Sequence, residues 1–163
     1  MAAKCLEHGP CTGHKKSLIP GWADFSSKIM IDTGDTYRLD FSYTQDDVDL
    51  FAKVTGDTNP LHIDKDYAAK TQFKQPIMHG FLSGSIFSRV LGTMFPGEGT
   101  VYMKQSMSFQ RPMFVDKTYE AVFTVKEADK EKHRAVITTQ IIDKETGKAT
   151  IDGEALVMNK TEI

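Results

Sequence analysis

A long apolar segment near the middle of the chain, from residue 80 to residue 94, limits the possible folds more than any other feature. Its large apolar side chains cover almost the whole circumference of a helix: Phe81, Leu82, Ile86, Phe87, Val90, Leu91 and Met94. A helix that is apolar nearly all round is a buried one. Small residues between them, such as Gly84, allow a second element to pack closely. The pattern therefore predicts a long central helix that the rest of the domain covers.

Strand-like segments lie on both sides of this helix. Before it, Tyr37, Leu39, Phe41 and Tyr43 alternate with polar neighbours, which is the period of a β-strand. After it, four segments have strand character, and polar turns separate them: residues 100–111, 117–127, 133–143 and 148–158. Consecutive strands with short turns favour an antiparallel meander. The sequence thus predicts an α+β fold in which a buried helix lies across a curved antiparallel sheet.

The length of 163 residues suits one folded domain with a substantial core. We place that domain at residues 35–163, because residues 1–34 lack periodicity and are expected to form an arm that is flexible or packed on the surface.

The net charge of −2 gives no support for nucleic-acid binding. No apolar run approaches the roughly 20 residues of a membrane span, and the N-terminal residues lack an apolar signal segment. We therefore expect a cytoplasmic protein without membrane or nucleic-acid partners.

The arm carries two cysteines and two histidines at intervals of three residues: Cys5, His8, Cys11 and His14. Two Cys and two His can form a tetrahedral zinc site. These residues, however, lack the long spacer that usually separates the two ligand pairs of a zinc finger, and glycine and proline interrupt them. We therefore expect no metal site there, and with only two cysteines there is no disulfide framework.

An acid and a base stand close together just before the central helix. Thr44, followed by Asp46 and Asp47, predicts the start of a helix that ends at Gly56. Asp57 and His62 follow within a turn stiffened by glycine and proline. A carboxylate and an imidazole on a stiff loop suit proton transfer to or from a water molecule. Turn formation and helix capping are an equally good explanation for Asp57 and the nearby Asn59.

The chain resembles a known family over this loop and beyond it. Residues 54–62 read Val-Thr-Gly-Asp-Thr-Asn-Pro-Leu-His and residues 76–80 read Pro-Ile-Met-His-Gly, which is similar to the hydratase motif of the MaoC-like, (R)-specific enoyl-CoA hydratases. The likeness includes Ala68, Ile86-Phe87-Ser88 and residues 99–112, and extends from about residue 35 to 160. None of the core motif positions is substituted.

The resemblance implies a hot-dog fold, in which an antiparallel sheet wraps a long helix, and assembly as a homodimer or a higher homo-oligomer. It also implies reversible addition of water to a trans-2-enoyl thioester of coenzyme A or of acyl carrier protein, giving the (R)-3-hydroxyacyl product without a cofactor or a metal. Asp57 and His62 would be the catalytic pair, and the backbone N–H of Gly80 would bind the thioester carbonyl. Asn59 would support the loop, and Ser88 would lie near the site.

Two of these positions also have simpler explanations. His79 precedes Gly80, and we expect it to satisfy backbone groups at the start of the helix rather than to transfer protons. Ser88 is either a packing residue or a donor to the carbonyl four residues earlier.

Two other functions remain open at the level of the sequence. A hot-dog thioesterase would typically carry its carboxylate on the central helix, and residues 80–93 contain no Asp or Glu. A non-catalytic acyl-binding or assembly subunit would not need Asp57 and His62. Both observations favour the hydratase.

Overall fold

The computed structural model describes residues 30–163, which form one sheet and four helices. The elements in chain order are β1 (Thr36–Phe41), α1 (Gln45–Thr55), α2 (Pro60–Ile63), α3 (Lys65–Ala69), α4 (Gly80–Thr93), β2 (Val101–Phe109), β3 (Tyr119–Asp129), β4 (Arg134–Asp143) and β5 (Ala149–Met158). All neighbouring strands are antiparallel, in the order β1-β3-β4-β5-β2. The predicted α+β architecture with an antiparallel sheet is confirmed.

The order of the strands corrects one part of the sequence prediction. Strands β3, β4 and β5 form the expected meander, but β2 pairs with β5 and not with the next strand, β3. The physical reason lies in the connection from residue 110 to residue 118, which is too long for a tight hairpin. It passes the start of α4, where the Met78 N–H donates to the Met113 carbonyl at 2.8 Å. The crossover thus brings this connection beside the central helix.

Helix α4 packs one side of its surface against the sheet. Phe87, Val90 and Leu91 are fully buried, and the ring of Phe87 meets that of Phe123 on β3 edge to face at 5.7 Å. Burial of side chains of this size contributes about 1.5–3 kcal/mol each. The prediction of a helix buried all round is nevertheless wrong for one face, since Phe81 is 69% exposed. The reason is that a single sheet covers only one side of a helix.

Helix α1 begins and ends as its sequence predicts. The Thr44 hydroxyl accepts from the Asp47 N–H at 3.3 Å, and the Asp47 carboxylate accepts from the Thr44 N–H at 2.8 Å, which completes a capping box. These bonds from the Thr44 backbone and hydroxyl lower the pKa of Asp47 below its ordinary value. At the other end, Gly56 adopts the left-handed conformation with φ of 79°, which suits glycine. Asp57 therefore follows directly after the end of the helix.

The expected metal-free arm and its cysteines lie outside the described residues, so those expectations stay predictions. The described chain already packs before β1, because Ile31 is buried and its N–H donates to the Glu162 carbonyl at 2.7 Å. The domain boundary at residue 35 likewise stays a prediction. Within residues 30–163, no helix combines the length and apolar character that crossing a bilayer requires.

Candidate active site

The loop after α1 is built from hydrogen bonds between its own residues. The Asp57 N–H donates to the Thr55 hydroxyl at 3.2 Å, and one Asp57 carboxylate oxygen accepts from the Asn59 N–H at 3.4 Å. The side chain of Asn59 accepts from the Leu61 N–H at 3.1 Å and so caps α2, with Pro60 as its first residue. The capping role considered for Asn59 is therefore real. It turns part of the predicted turn into a short helix, which carries His62.

His62 is half-buried, and its orientation is set by a backbone group. Its Nδ1 lies 2.7 Å from the carbonyl oxygen of Ile77. Because a carbonyl can only accept, this nitrogen carries the ring proton, and Nε2 of the neutral ring keeps its lone pair. His62 also lines an apolar cleft. The imidazole is thus held in the tautomer that can accept a proton.

His79 forms a contact that the sequence did not reveal. It is the N-cap residue of α4, but its side chain makes no capping bond within that helix. Instead its Nε2 lies 3.0 Å from the backbone carbonyl of Asp57, and 3.9 Å from the Asp57 carboxylate oxygen Oδ2. The expected bond to a backbone group is present, but its acceptor is in the loop after α1 and not at the helix start. The side chain is 2% exposed, and among residues 30–163 no group bonds its Nδ1.

The three side chains form one compact cluster. One nitrogen of His62, one nitrogen of His79 and one oxygen of Asp57 all lie within 4.8 Å of one another. The two imidazole rings are 3.9 Å apart between centroids, and the ring of Phe51 on α1 packs against His79 at 5.0 Å. In contrast to the buried His79, the Asp57 side chain is 53% exposed. The carboxylate can therefore reach a substrate or a water molecule from the loop.

Two imidazoles and a carboxylate are also the donor types that bind zinc. In the described part of the chain, this cluster has its ligand atoms close enough together to hold a metal ion. The hydrogen bonds that these side chains already make disfavour metal binding. His62 Nδ1 and His79 Nε2 are engaged by carbonyls, and the remaining nitrogen of His79 is buried. A metal ion would have to break the bond between His79 and the loop before it had three protein ligands.

An apolar cleft of about 440 Å³ opens beside the cluster. It is lined by His62, Phe73, Ile77, Met78, Gly80, Phe81, Ser83, Phe109, Gln110, Arg111, Pro112, Met113 and Ile151. The lining comes from α2, the segment between α3 and α4, the start of α4, the end of β2, the crossover that follows β2, and β5. None of these residues is an aspartate or a glutamate. The cleft is suited to an apolar chain with a polar group near His62.

Gly80 gives the cleft a free hydrogen-bond donor. It is the first residue of α4, where backbone N–H groups lack partners within the helix, and no described residue accepts from its N–H. The positive end of the helix dipole lies at the same place. A Cβ at this position would lie 2.7 Å from Cε1 of Phe109, so only glycine leaves room for that ring. The site thus presents an N–H donor and an aromatic wall side by side.

The predicted site residues divide into two groups in the structure. Asp57, Asn59, His62 and His79 come together, with Gly80 on the adjoining cleft. Ser88 is exposed on α4, two turns beyond Gly80, and does not line the cleft. Sequence reasoning missed the Ile77 carbonyl that orients His62, because a backbone acceptor has no sequence signature.

Comparison with known proteins identifies the family. Residues 28–149 match the model of the MaoC like domain. The chain is also 39% identical over 127 residues to the (R)-specific enoyl-CoA hydratase of Aeromonas caviae, which covers 78% of this chain and 94% of that protein. The chain therefore belongs to the MaoC-like dehydratase family, and the resemblance recognised in its motif is confirmed.

Two further similarities bear on fold and chemistry. The solved structure titled (R)-hydratase from A. caviae involved in PHA biosynthesis superposes with a TM-score of 0.76 at 38% identity, covering 79% of this chain and 97% of that one. The likeness confirms the expected hot-dog fold. The mitochondrial 3-hydroxyacyl-[acyl-carrier-protein] dehydratase of Arabidopsis thaliana is 30% identical over 140 residues, covering 85% of this chain and 83% of that protein.

Proposed function

We propose that this protein is a lyase that adds water reversibly to the double bond of a trans-2-enoyl thioester and forms the (R)-3-hydroxyacyl thioester. The observation that carries the proposal is the position of His62 and Gly80 on the same apolar cleft, with the Asp57 carboxylate beside His62. The curated name of the A. caviae relative, an (R)-specific enoyl-CoA hydratase, supports it.

The chemistry needs one base, one acid and one anion-binding donor. The water oxygen forms a bond to C3 while one of its O–H bonds breaks, and the proton passes to the pair of Asp57 and His62. Electrons of the double bond move toward the thioester oxygen, giving an enolate-like state. A proton from the same pair then forms the C2–H bond. General-base assistance of this kind is worth on the order of 10²–10⁴ in rate.

The Gly80 N–H is the group that we assign to the thioester oxygen. It lacks a protein acceptor among the described residues and belongs to the first residue of α4, which lines the same cleft as His62. One such donor typically contributes on the order of 10²–10³ in rate. Because the water-handling pair lies on one loop, both new bonds would form on the same face of the substrate.

The supporting roles follow from the same geometry. Asn59 caps α2 and donates its backbone N–H to Asp57, so we assign it to holding the loop. Ser88 is exposed on α4 and away from the cleft. It could lie near a site only if another copy of the chain covers that face of α4.

We also propose that the protein assembles as a homodimer or a higher homo-oligomer. Strand β2 is an edge of the sheet, and large apolar side chains are exposed along it at Val101, Tyr102, Met103 and Phe109. Long apolar edge strands normally pair or are covered. Light scattering coupled to size exclusion tests this, and Met103→Lys is expected to shift the mass toward that of one chain. A wild-type protein that is monomeric at micromolar concentration would contradict it.

The carrier and the compartment are open to direct tests. The names of relatives include both a CoA hydratase and an acyl-carrier-protein dehydratase, so each carrier belongs in the assay. Our expectation of a cytoplasmic location rests on the sequence alone, and the Arabidopsis relative is named as mitochondrial. Fractionation of the source cells distinguishes the two compartments.

The decisive experiment follows the ultraviolet band of the conjugated enoyl thioester. Purified protein is mixed with crotonyl-CoA and with medium and long trans-2-enoyl thioesters, on CoA and on acyl carrier protein. We expect the band to disappear and chiral chromatography to detect the (R)-3-hydroxyacyl product. Loss of the band with release of one free thiol per substrate consumed, and without the (R)-3-hydroxyacyl thioester, would indicate a thioesterase instead. No reaction with any chain length on either carrier would reject the enzyme and favour an acyl-binding subunit.

A further inference from the structure

We propose that His79 is a positioning residue of this site, which rests on the function proposed above. Its neutral imidazole ties the loop of Asp57 to the start of α4 and supports the ring of His62. In this way it holds the water-handling pair in a fixed relation to the Gly80 N–H. It acts through these groups and not on the substrate, because it does not line the cleft.

The first part of the evidence is the bond from His79 to the loop. Its Nε2–H donates to the backbone carbonyl of Asp57 at 3.0 Å, and the carboxylate of the same residue is 3.9 Å away. The two residues are 22 positions apart, so this bond joins separate segments. His79 directly precedes Gly80, and its own carbonyl accepts from both the N–H and the hydroxyl of Ser83 at 3.0 and 3.1 Å. The bond therefore connects the loop to a well-anchored helix start.

The second part is the contact between the two rings. His62 is fixed at Nδ1 by the Ile77 carbonyl, which still allows its ring to tilt about that bond. The ring of His79 lies 3.9 Å away between centroids, with the two planes inclined by 35°, and this close contact limits how far the ring of His62 can turn. Phe51 packs against His79 at 5.0 Å and restricts its ring in turn. His79 thus completes the orientation of His62.

The third part is the state of the His79 ring. Its Nε2 carries the proton because the partner is a carbonyl, so the other nitrogen holds a lone pair. That nitrogen is buried, and no described residue bonds it. A second proton there would be a buried donor without an acceptor. The geometry therefore fits a neutral ring, which places no positive charge against His62.

The test uses two amides of different reach. In Gln the side-chain nitrogen lies where Nε2 of histidine lies, whereas in Asn it lies nearer the position of Nδ1. His79→Gln can therefore keep the donor to Asp57, and His79→Asn cannot. Because misplacement of reacting groups by about 1 Å can cost 10²-fold, we expect kcat to fall about 100-fold in His79→Asn and less than about tenfold in His79→Gln. KM for crotonyl-CoA should change little in both variants, because His79 does not line the cleft.

A second readout does not depend on turnover. Nitrogen-15 NMR of the imidazoles reports which ring nitrogen is protonated. We expect His62 to be protonated at Nδ1 in the wild type and in His79→Gln, and to become a mixture of tautomers in His79→Asn. His133→Gln is the matched control, because it removes an imidazole bond to a carbonyl, that of Ile163, outside the cleft. It should leave kcat and the tautomer of His62 unchanged.

The outcomes separate the two proposals. If the wild type hydrates no enoyl thioester, the proposed function fails, while the tautomer of His62 in the variants still decides whether His79 positions it. Equal kcat and equal tautomer populations in the Asn and Gln variants, both with wild-type thermal stability, would overturn the positioning role. A variant that loses thermal stability is judged by its tautomer population at a temperature where it is folded.

Discussion

His62 and His79 are linked to each other's chain segments by crossed hydrogen bonds. His62, which follows the loop after α1, donates to the carbonyl of Ile77 just before α4, and His79 at the start of α4 donates to the carbonyl of Asp57 in the loop. The two rings lie between these bonds, with centroids 3.9 Å apart and planes inclined by 35°. Two segments that are distant in sequence therefore form one unit, with the proton-transfer groups on one and the N–H of Gly80 on the other.

Asp57→Asn should remove most of the activity without unfolding the protein. Asn has the same shape but is a very weak base, and the carboxylate is largely exposed, so the fold does not depend on its charge. We expect kcat for hydration of crotonyl-CoA to fall by about 10²–10⁴. Asp66→Asn, an exposed aspartate on α3, is the control and should be fully active. A highly active Asp57→Asn enzyme would exclude the carboxylate as base.

The effects of Asp57 and His62 should not add. If both groups act on one water molecule, removing either disables the same step, and removing both costs little more. We expect His62→Ala and the double variant with Asp57→Asn to have similar kcat values. Rates for the two single variants and the double variant complete the cycle. Losses that multiply would instead indicate that the two residues serve separate steps.

Gly80→Ala tests the crowded start of α4. The new methyl group would lie 2.7 Å from Cε1 of Phe109, so the ring must move across the cleft. We expect kcat/KM to fall roughly tenfold or more from this displacement. Adding Phe109→Ala removes the obstacle and should restore part of the loss.

Gly92→Ala, on the same helix, is the matched control for Gly80→Ala. A Cβ there has no neighbour within 4 Å. Because alanine is preferred over glycine inside helices, it should increase the free energy of unfolding by about 0.5–1 kcal/mol and leave activity unchanged. Equal effects of the two substitutions on activity would contradict the role of the space at Gly80.

The capping box of α1 should make part of the stability depend on pH. Bonds from Thr44 lower the pKa of Asp47, so the folded state favours the charged carboxylate. Its contribution is present above the ordinary value of 3.8 and is lost as the pH falls through the lowered pKa of the folded state. At pH 7, Asp47→Asn should destabilise by about 0.5–1 kcal/mol, and the difference from wild type should shrink below about pH 4.

Urea unfolding at several pH values measures the effect of Asp47→Asn. Asp46→Asn is the control, since Asp46 shares the first turn of α1 but is not part of the capping box. A difference between Asp47→Asn and wild type that grows as the pH falls would show that the cap is not the source.

Removal of metal ions should not change the rate. His62 Nδ1 and His79 Nε2 are bonded to carbonyls, so a metal ion with three protein ligands would have to break the bond between His79 and the loop. We expect dialysis against a chelator to leave kcat for crotonyl-CoA unchanged. Activity that is lost on dialysis and restored by zinc would show that the cluster is a metal site.

Local patterns in the sequence predicted most of the elements. The cap at Thr44, the stop at Gly56 and the helix from Gly80 depend on residues near each other in the chain, and the structure has them as expected. The pairing of β2 with β5 was not predictable in this way, because it depends on the path of the crossover.

The same distinction holds for the candidate site. Asp57 and His62 stand in one short motif and were found together. The role of His79 was mistaken in one respect, since its acceptor is 22 residues away and is a carbonyl that any residue would supply. Contacts between distant segments through backbone atoms leave no trace in residue type.

The acceptor that orients His62 has a consequence for how such an enzyme can diversify. Ile77 contributes its main-chain oxygen to His62, our proposed catalytic histidine, and also lines the cleft. The carbonyl oxygen is kept in any substitution that preserves the path of the chain. The side chain at the cleft changes with every substitution. A substitution at position 77 can therefore change which acyl group fits the cleft while the hydrogen bond to His62 is kept. We expect this position to tolerate changes that give new substrate ranges.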